Sequence, residues 1–222
     1  MFTFPTIQRA LPYQDVLQRV KSGQHFLDLG CGFGQNIRKL VYDGAPSENA
    51  AGADISQEFV DYGYEYFRDQ DRLKTRFIIG DVLDENSQAF LHAEENFDII
   101  FASMFYHLWG WDDHIKTLIR TIRLLKPIPG STLFGWQMGA TPAGEISREL
   151  SQNRLEQHKL MYLHDEESWK KMWKEVEAQT GTRWEVQAKA IVTPEIEARQ
   201  KIMPVRREGE TLVALFFSMT RL

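Results

Sequence analysis

The chain alternates between two hydrophobic rhythms: short unbroken apolar runs, and longer stretches in which apolar residues return every three or four positions. The first suits strands buried on both faces and the second suits amphipathic helices, so the alternation predicts a doubly wound α/β fold with a mostly parallel sheet. Residues 25–29 (HFLDL) run into a cluster of glycines, and residues 36–42 then read as a helix. Residues 50–55 predict the second strand, 58–68 a helix, and 77–80 the third strand. A short helical stretch over 87–92 precedes residues 97–102 (FDIIFA), a continuous apolar strand. In the next helix Ile115, Leu118, Ile119, Ile122 and Leu125 recur at helical spacing. Asp112 or Asp113 is expected to cap its start, and Pro127, Pro129 and Gly130 end it. Residues 132–136 read as the fifth strand, 144–158 and 165–180 as charged helices, and 184–192 with 212–219 as a terminal antiparallel pair. The expectation is a seven-stranded sheet with an antiparallel C-terminal strand, in one domain over residues 1–222 with a short N-terminal cap.

Composition narrows the function classes. With 222 residues, 43% hydrophobic, 26% charged and a net charge of −5, the chain suits one folded domain rather than a disordered acidic segment. Its cations are scattered: Lys170, Lys171 and Lys174 sit among Glu166, Glu167, Glu175 and Glu177, the pattern of a solvated helix face, so no nucleic-acid partner is expected. A single cysteine, Cys31, excludes an intrachain disulfide and fits a reducing compartment. The first residues lack a secretory pattern, and no run of about 18 apolar residues occurs, so the expectation is a cytoplasmic protein with no membrane partner. Asp112, Asp113 and His114 point in different directions at a helix start, so no metal is expected, and His114 is expected on the helix surface. Oligomeric state is left open, a homodimer being one option.

The chemistry concentrates at Asp28-Leu29-Gly30-Cys31-Gly32-Phe33-Gly34. A strand running into closely spaced glycines and then a helix lets backbone approach a nucleotide-like ligand. Gln35 stands where the nicotinamide-binding version of this turn has its third glycine, and Asp28 puts at the strand tip a carboxylate that repels pyrophosphate and favours a cationic amino-acid moiety. Asp54 ends the second strand, where an acid accepts hydrogen bonds from ribose hydroxyls, and Asp81 ends the third. Each alone could be a turn or cap carboxylate, but the three fall at one edge of the sheet.

FLDLGCGFG resembles the first motif of class I S-adenosylmethionine-dependent methyltransferases, whose sheet is Rossmann-like, and the likeness extends from Tyr13 to Trp136. Leu125-Lys126-Pro127, followed by Ile128-Pro129-Gly130, is similar to the family's L-K-P-G-G turn, slightly altered. The resemblance implies S-adenosylmethionine as cofactor, with S-adenosylhomocysteine as product. It implies contacts from Asp28, Gly30, Cys31, Gly32, Gly34, Asn36, Asp54, Ile55, Asp81, Val82 and Ser103, with Asp81 on the adenine amino group and the Val82 amide on a ring nitrogen.

Residues 39–49 (KLVYDGAPSEN), with Gly63-Tyr64 and Phe67-Arg68-Asp69 downstream, resemble small fungal methyltransferases of meroterpenoid and related secondary-metabolite pathways, some of which methylate a carboxylate. Such relatives usually have further N-terminal residues that help close the substrate pocket, so part of that lid is expected to be absent. The acceptor is then a small molecule carrying a carboxylate or hydroxyl. A carboxylate is ionised at neutral pH and needs no general base, whereas a hydroxyl benefits from one. His107, after the fourth strand, is the candidate base, and a backbone hydrogen bond is its plainer role. Phe105, Tyr106, Trp109 and Trp111 could wall an apolar pocket or simply pack, and Trp136 and Gln137 are expected to face the same cavity. Cys31 reads as small-residue packing. The alternatives are an enzyme of this fold performing cyclisation or rearrangement, and a noncatalytic cofactor-binding partner.

Overall fold

Strands β1 (Phe26–Leu29), β2 (Ala50–Asp54), β3 (Arg76–Ile79), β4 (Ile99–Ser103) and β5 (Thr132–Thr141) are mutually parallel where they pair. In the computed structural model, which describes residues 5–10, 12–147, 160–202 and 209–222, they join β8 (Trp184–Ile191) and β9 (Thr211–Arg221) in one seven-stranded sheet of order β3-β2-β1-β4-β5-β9-β8. β9 runs antiparallel to both β5 and β8, as the terminal pair predicts. β1 lies at the centre with β2 on one side and β4 on the other, so strand order reverses at its carboxyl end, where a doubly wound sheet opens a crevice.

Every residue of β1 is buried, because helices cover both faces. Against one face lie α1 (Tyr13–Lys21), α2 (Gln35–Tyr42) and α3 (Gln57–Phe67); Ile37 and Leu40 pack there with Phe26, Phe101 and Phe134. Against the other lie α4 (Gln88–Leu91), α5 (Trp111–Leu124) and α6 (Glu166–Thr180), where Leu118 and Ile122 meet Leu27, Ile100, Leu133, Trp169 and Phe217. α7 (Pro194–Ile202) buries Ile196 with Met138 and Ala214 beyond the first layer. Among the described residues, no helix is long and apolar enough to cross a membrane.

Three expectations are corrected. Residues 144–147 are not helical: β6 (Gly144–Ser147) pairs with β7 (Leu160–Leu163) in a separate two-stranded sheet, because Ile146 alone turns inward between exposed Glu145 and Ser147, a period of two. The remainder of that predicted helix, 148–158, lies outside the described residues. α5 is capped by Gly110 rather than by Asp112 or Asp113, which occupy its first turn and oppose the positive end of its dipole. A Cβ at 110 would stand 2.7 Å from Glu145 Oε1 and 3.1 Å from Leu160 Cβ, so a larger cap there would have to displace the Glu145 carboxylate and press on β7. β5 runs five residues past 136 because β9 pairs with it as far as Thr141.

His114 is also corrected, from the surface to full burial. Its ring stacks on Tyr106 (5.3 Å between centroids) and meets His164 edge-on at 5.0 Å, while both of its nitrogens lack a hydrogen-bond partner. Desolvation holds both histidines neutral, pushing His114 well below the ordinary value and His164 down to about 3. An unfolded histidine gains its proton near pH 6.5 and these do not, so their contribution is complete above pH 6.5 and shrinks as pH falls, by at most about 1.4 kcal/mol per histidine per pH unit. Relative to the unsubstituted protein, His164→Phe is therefore expected to lose less melting temperature, or gain more, between pH 6.5 and 4 when both proteins are melted by circular dichroism. Parallel slopes would refute this.

Candidate functional site

β1 delivers Asp28 into a site that is 1% exposed, on the side facing α2. One carboxylate oxygen accepts from Asn36 Nδ2 at 3.3 Å, and Asn36 Oδ1 in turn accepts the backbone N–H groups of Thr6 (2.8 Å) and Ile7 (3.2 Å). The other oxygen, Oδ1, is buried with no partner. Desolvation raises the Asp28 carboxyl to about 7, against the pull of Asn36 and with help from the Asp54 charge. A buried unpartnered acceptor costs about 1–3 kcal/mol until a donor reaches it, and a cationic donor would also return the carboxyl to its charged form.

Beyond Asp28 the chain turns through Gly30, Gly32 and Gly34, all in the left-handed region (φ 73°, 53° and 70°) that costs glycine little. The Gly30 and Cys31 amides donate to Ala53 O at 2.8 and 2.9 Å, which ties the turn to β2, and Gly34 N–H donates to Cys31 O. Asp54, at the tip of β2, accepts Gly32 N–H at 2.8 Å with one oxygen and Ser56 N–H at 3.1 Å with the other. Each oxygen keeps a second lone pair for a hydroxyl donor. Burial pushes the Asp54 carboxyl up as well. A Cβ built on Gly32 meets nothing within 4 Å, so open space flanks the turn at that point. Ile55 beside it is exposed despite being apolar.

Asp81 follows β3 and accepts Leu83 N–H at 2.9 Å, with Val82 buried next to it. Ser103 ends β4, its hydroxyl 3.1 Å from that of Thr6. Met104 then adopts a left-handed φ of 54°, a conformation a non-glycine residue holds only when its surroundings impose it. The turn swings Phe105 over Gly30: a Cβ on Gly30 would stand 2.4 Å from that ring, so this glycine is required by the ring as well as by its φ. Cys31 is buried and its thiol is pushed up by desolvation, which leaves it a packing residue without nucleophilic character.

The predicted pocket wall divides. Tyr106 is fully buried, donates to Thr121 Oγ1 at 2.9 Å and packs on Phe217 and Trp169, so it belongs to the core and its assignment to the pocket is corrected. Trp111 donates from its indole to Glu175 Oε2 on α6 at 3.1 Å and meets Tyr162 at 4.9 Å, a placement against α6 and β7. Trp136 and Gln137 are neighbours on β5 and so leave opposite faces: Trp136 lies with Phe216 on the α7 side, Gln137 on the side of Leu133 and Leu215. They do not face one cavity from the same side. Trp109 and Phe105 remain together, with centroids 4.9 Å apart, and His107 is buried in the single 3-10 turn Tyr106–Leu108 between them. Sequence reasoning missed that Gln137 is fully buried with neither amide atom partnered; the glutamine inside an otherwise apolar strand was the available signal.

Residues 26–128 match the family described as methyltransferase domain. Among curated proteins, the chain is 44% identical over 196 residues to the O-methyltransferase phiE of Fungal sp. (strain ATCC 74256), covering 86% of this chain and 63% of that one. It is 36% identical over 182 residues to the asnovolin E/chermesin D methyltransferase nvfJ of Aspergillus novofumigatus, covering 82% and 63%. The chain thus spans less than two thirds of the length of these relatives. Among solved structures, it resembles the phosphoethanolamine N-methyltransferase 2 of Haemonchus contortus in complex with S-adenosyl-L-methionine (TM-score 0.60, 17% identity, 93% of this chain and 51% of that one). It also resembles an S-adenosylmethionine-dependent methyltransferase from Mesorhizobium loti (TM-score 0.58, 16% identity, 97% and 100%), and both likenesses are of fold.

The raised Asp28 carboxyl gives a directional test. The unfolded carboxyl ionises near 3.8 and the folded one near 7, so without a cationic ligand the contribution of Asp28 to stability falls as pH rises between those values. Asp28→Asn is expected to melt several degrees higher than the unsubstituted protein at pH 8 and at nearly the same temperature at pH 4. The reverse order would mean that Asp28 is stabilised as an anion.

Proposed function

We propose that this chain, whose residues 26–128 match a methyltransferase domain and which is similar to fungal O-methyltransferases, is a class I methyltransferase that methylates an oxygen of a small-molecule acceptor, a carboxylate or hydroxyl of a fungal secondary metabolite. The observation that carries the reading is the pairing, at the switch point of the sheet, of a buried carboxylate oxygen awaiting a donor on Asp28 with a second carboxylate, Asp54, bonded to the glycine turn. The first fits an ammonium and the second a ribose diol, the two polar ends of S-adenosylmethionine.

When bound, that cofactor supplies a methyl group already activated on a sulfonium, with S-adenosylhomocysteine as the product. Gly30, Cys31, Gly32 and Gly34 give the turn its shape, and Asn36 orients the Asp28 carboxylate. Asp81 and the Val82 amide are proposed to read the purine, Ile55 to cover its face, and Ser103 to border the site at the end of β4. Aligning the acceptor and excluding water are then the main tasks of the protein. Phe105 and Trp109 supply apolar wall, and Gln137, able to donate and accept, suits an oxygen on the acceptor. His107 is proposed as the base for a hydroxyl acceptor; a carboxylate leaves it without that task.

Calorimetric titration should show saturable binding of S-adenosylmethionine and S-adenosylhomocysteine but not of a nicotinamide dinucleotide, with Asp54→Ala weakening both by about tenfold or more. In a mass-spectrometric screen of carboxylic acids and phenols, His107→Gln should slow methylation of phenols and spare that of carboxylates. No saturable binding of either sulfur compound would overturn the proposal.

A further inference from the structure

Within the stretches Gly63-Tyr64 and Phe67-Arg68-Asp69, which take no part in the site above, Tyr64, Phe67 and Asp69 converge on one side chain of α2, Arg38. Its Nε donates to Asp69 Oδ2 at 2.7 Å and its Nη2 to Asp69 Oδ1 at 2.9 Å, a bidentate pair whose side chains are 9% and 16% exposed. The same guanidinium lies 4.5 Å from the centroid of Phe67 and 5.5 Å from that of Tyr64. Its remaining nitrogen, Nη1, donates at 2.5 Å to the carbonyl of Phe33, inside the glycine turn. Two glycines make room: a Cβ on Gly34 would lie 2.8 Å from Nη1, and one on Gly63 would lie 2.4 Å from the Phe33 oxygen.

We propose that Arg38, anchored by Asp69, is the positioning residue of the cofactor turn, holding the Phe33 carbonyl against α3 so that the turn keeps its ligand-facing shape. The inference rests on the cofactor reading above. A planar fork charged at every accessible pH suits the task, because it joins a carboxylate and a carbonyl at fixed angles where a lysine would reach one of them. Surface ion pairs contribute little to stability, but this pair is mostly shielded from water and held by two rings, so its geometry is maintained. On the cofactor reading the role would be selective, because the turn held by Arg38 adjoins Asp28, assigned there to the amino-acid end, whereas Asp81 and Ile55, assigned to the purine, lie on other loops.

The test compares S-adenosylhomocysteine with 5′-methylthioadenosine, which keeps the nucleoside and lacks the amino acid. In Arg38→Met and Asp69→Asn, checked for folding by circular dichroism, affinity for S-adenosylhomocysteine should fall about tenfold while that for 5′-methylthioadenosine changes less than about twofold. Arg38→Lys should recover only part of the loss. Equal weakening of both ligands, or unchanged binding of both, would overturn the positioning role while leaving the cofactor reading intact. Failure of the unsubstituted protein to bind S-adenosylhomocysteine would overturn that reading and this inference together.

Discussion

A strand buried on both faces can offer polar chemistry only where it ends. β1 has no exposed residue, and its neighbours β2 and β4 are covered almost as completely, so any side chain meant to meet a ligand must sit at the carboxyl edge. Asp28, Asp54 and Asp81 satisfy that condition on three successive strands, and the reversal of strand order between β1 and β4 opens the space above them. The cost is desolvation, visible in the raised carboxyls of Asp28 and Asp54. A scaffold that places carboxylates so deep holds them in readiness for a cationic or hydroxyl-bearing ligand.

The same edge depends on missing side chains. Gly30 accepts the ring of Phe105, Gly34 the guanidinium of Arg38, and Gly63 the carbonyl of Phe33, each at a distance a Cβ would violate. Helix α3 can therefore lie directly on the turn, and the left-handed Met104 can bring the chain after β4 back over β1. The shape of the turn is set by these close approaches together with the hydrogen bonds its amides make within the protein. Most of the turn amides are already engaged within the protein.

Much of this was legible in the sequence because it is local. Strand tips carrying Asp28, Asp54 and Asp81 follow from apolar runs that stop at glycine or a turn, and the helix after Gly110 shows its period in Ile115, Leu118 and Ile122. What was not legible depends on distant segments. The burial of His114 follows from the packing of α6 and β7 against α5, which the residues around it do not encode. The opposite facing of Trp136 and Gln137 is a matter of pleat, hidden while β5 was read as stopping at 136. β6 was obscured by glutamate and serine, which score as helix or loop until Ile146 finds a core. The Arg38 network was invisible for the same reason: its partner lies 31 residues away.

β5 has a divided allegiance. Its first five residues pair with both β4 and β9, and its last five have passed the end of β4 and pair with β9, with Gly139 also bridging His164. Inserting one residue between Trp136 and Gln137 would leave the β4 register untouched, yet it would exchange inside for outside at every later position. The junction is therefore a natural crossover point for chimeras. Strand segments grafted downstream of 136 leave the β4 register in place, provided the graft preserves residue count. Substitutions beyond the junction can then change one face of β5 and β9 while the β4 pairing stays fixed.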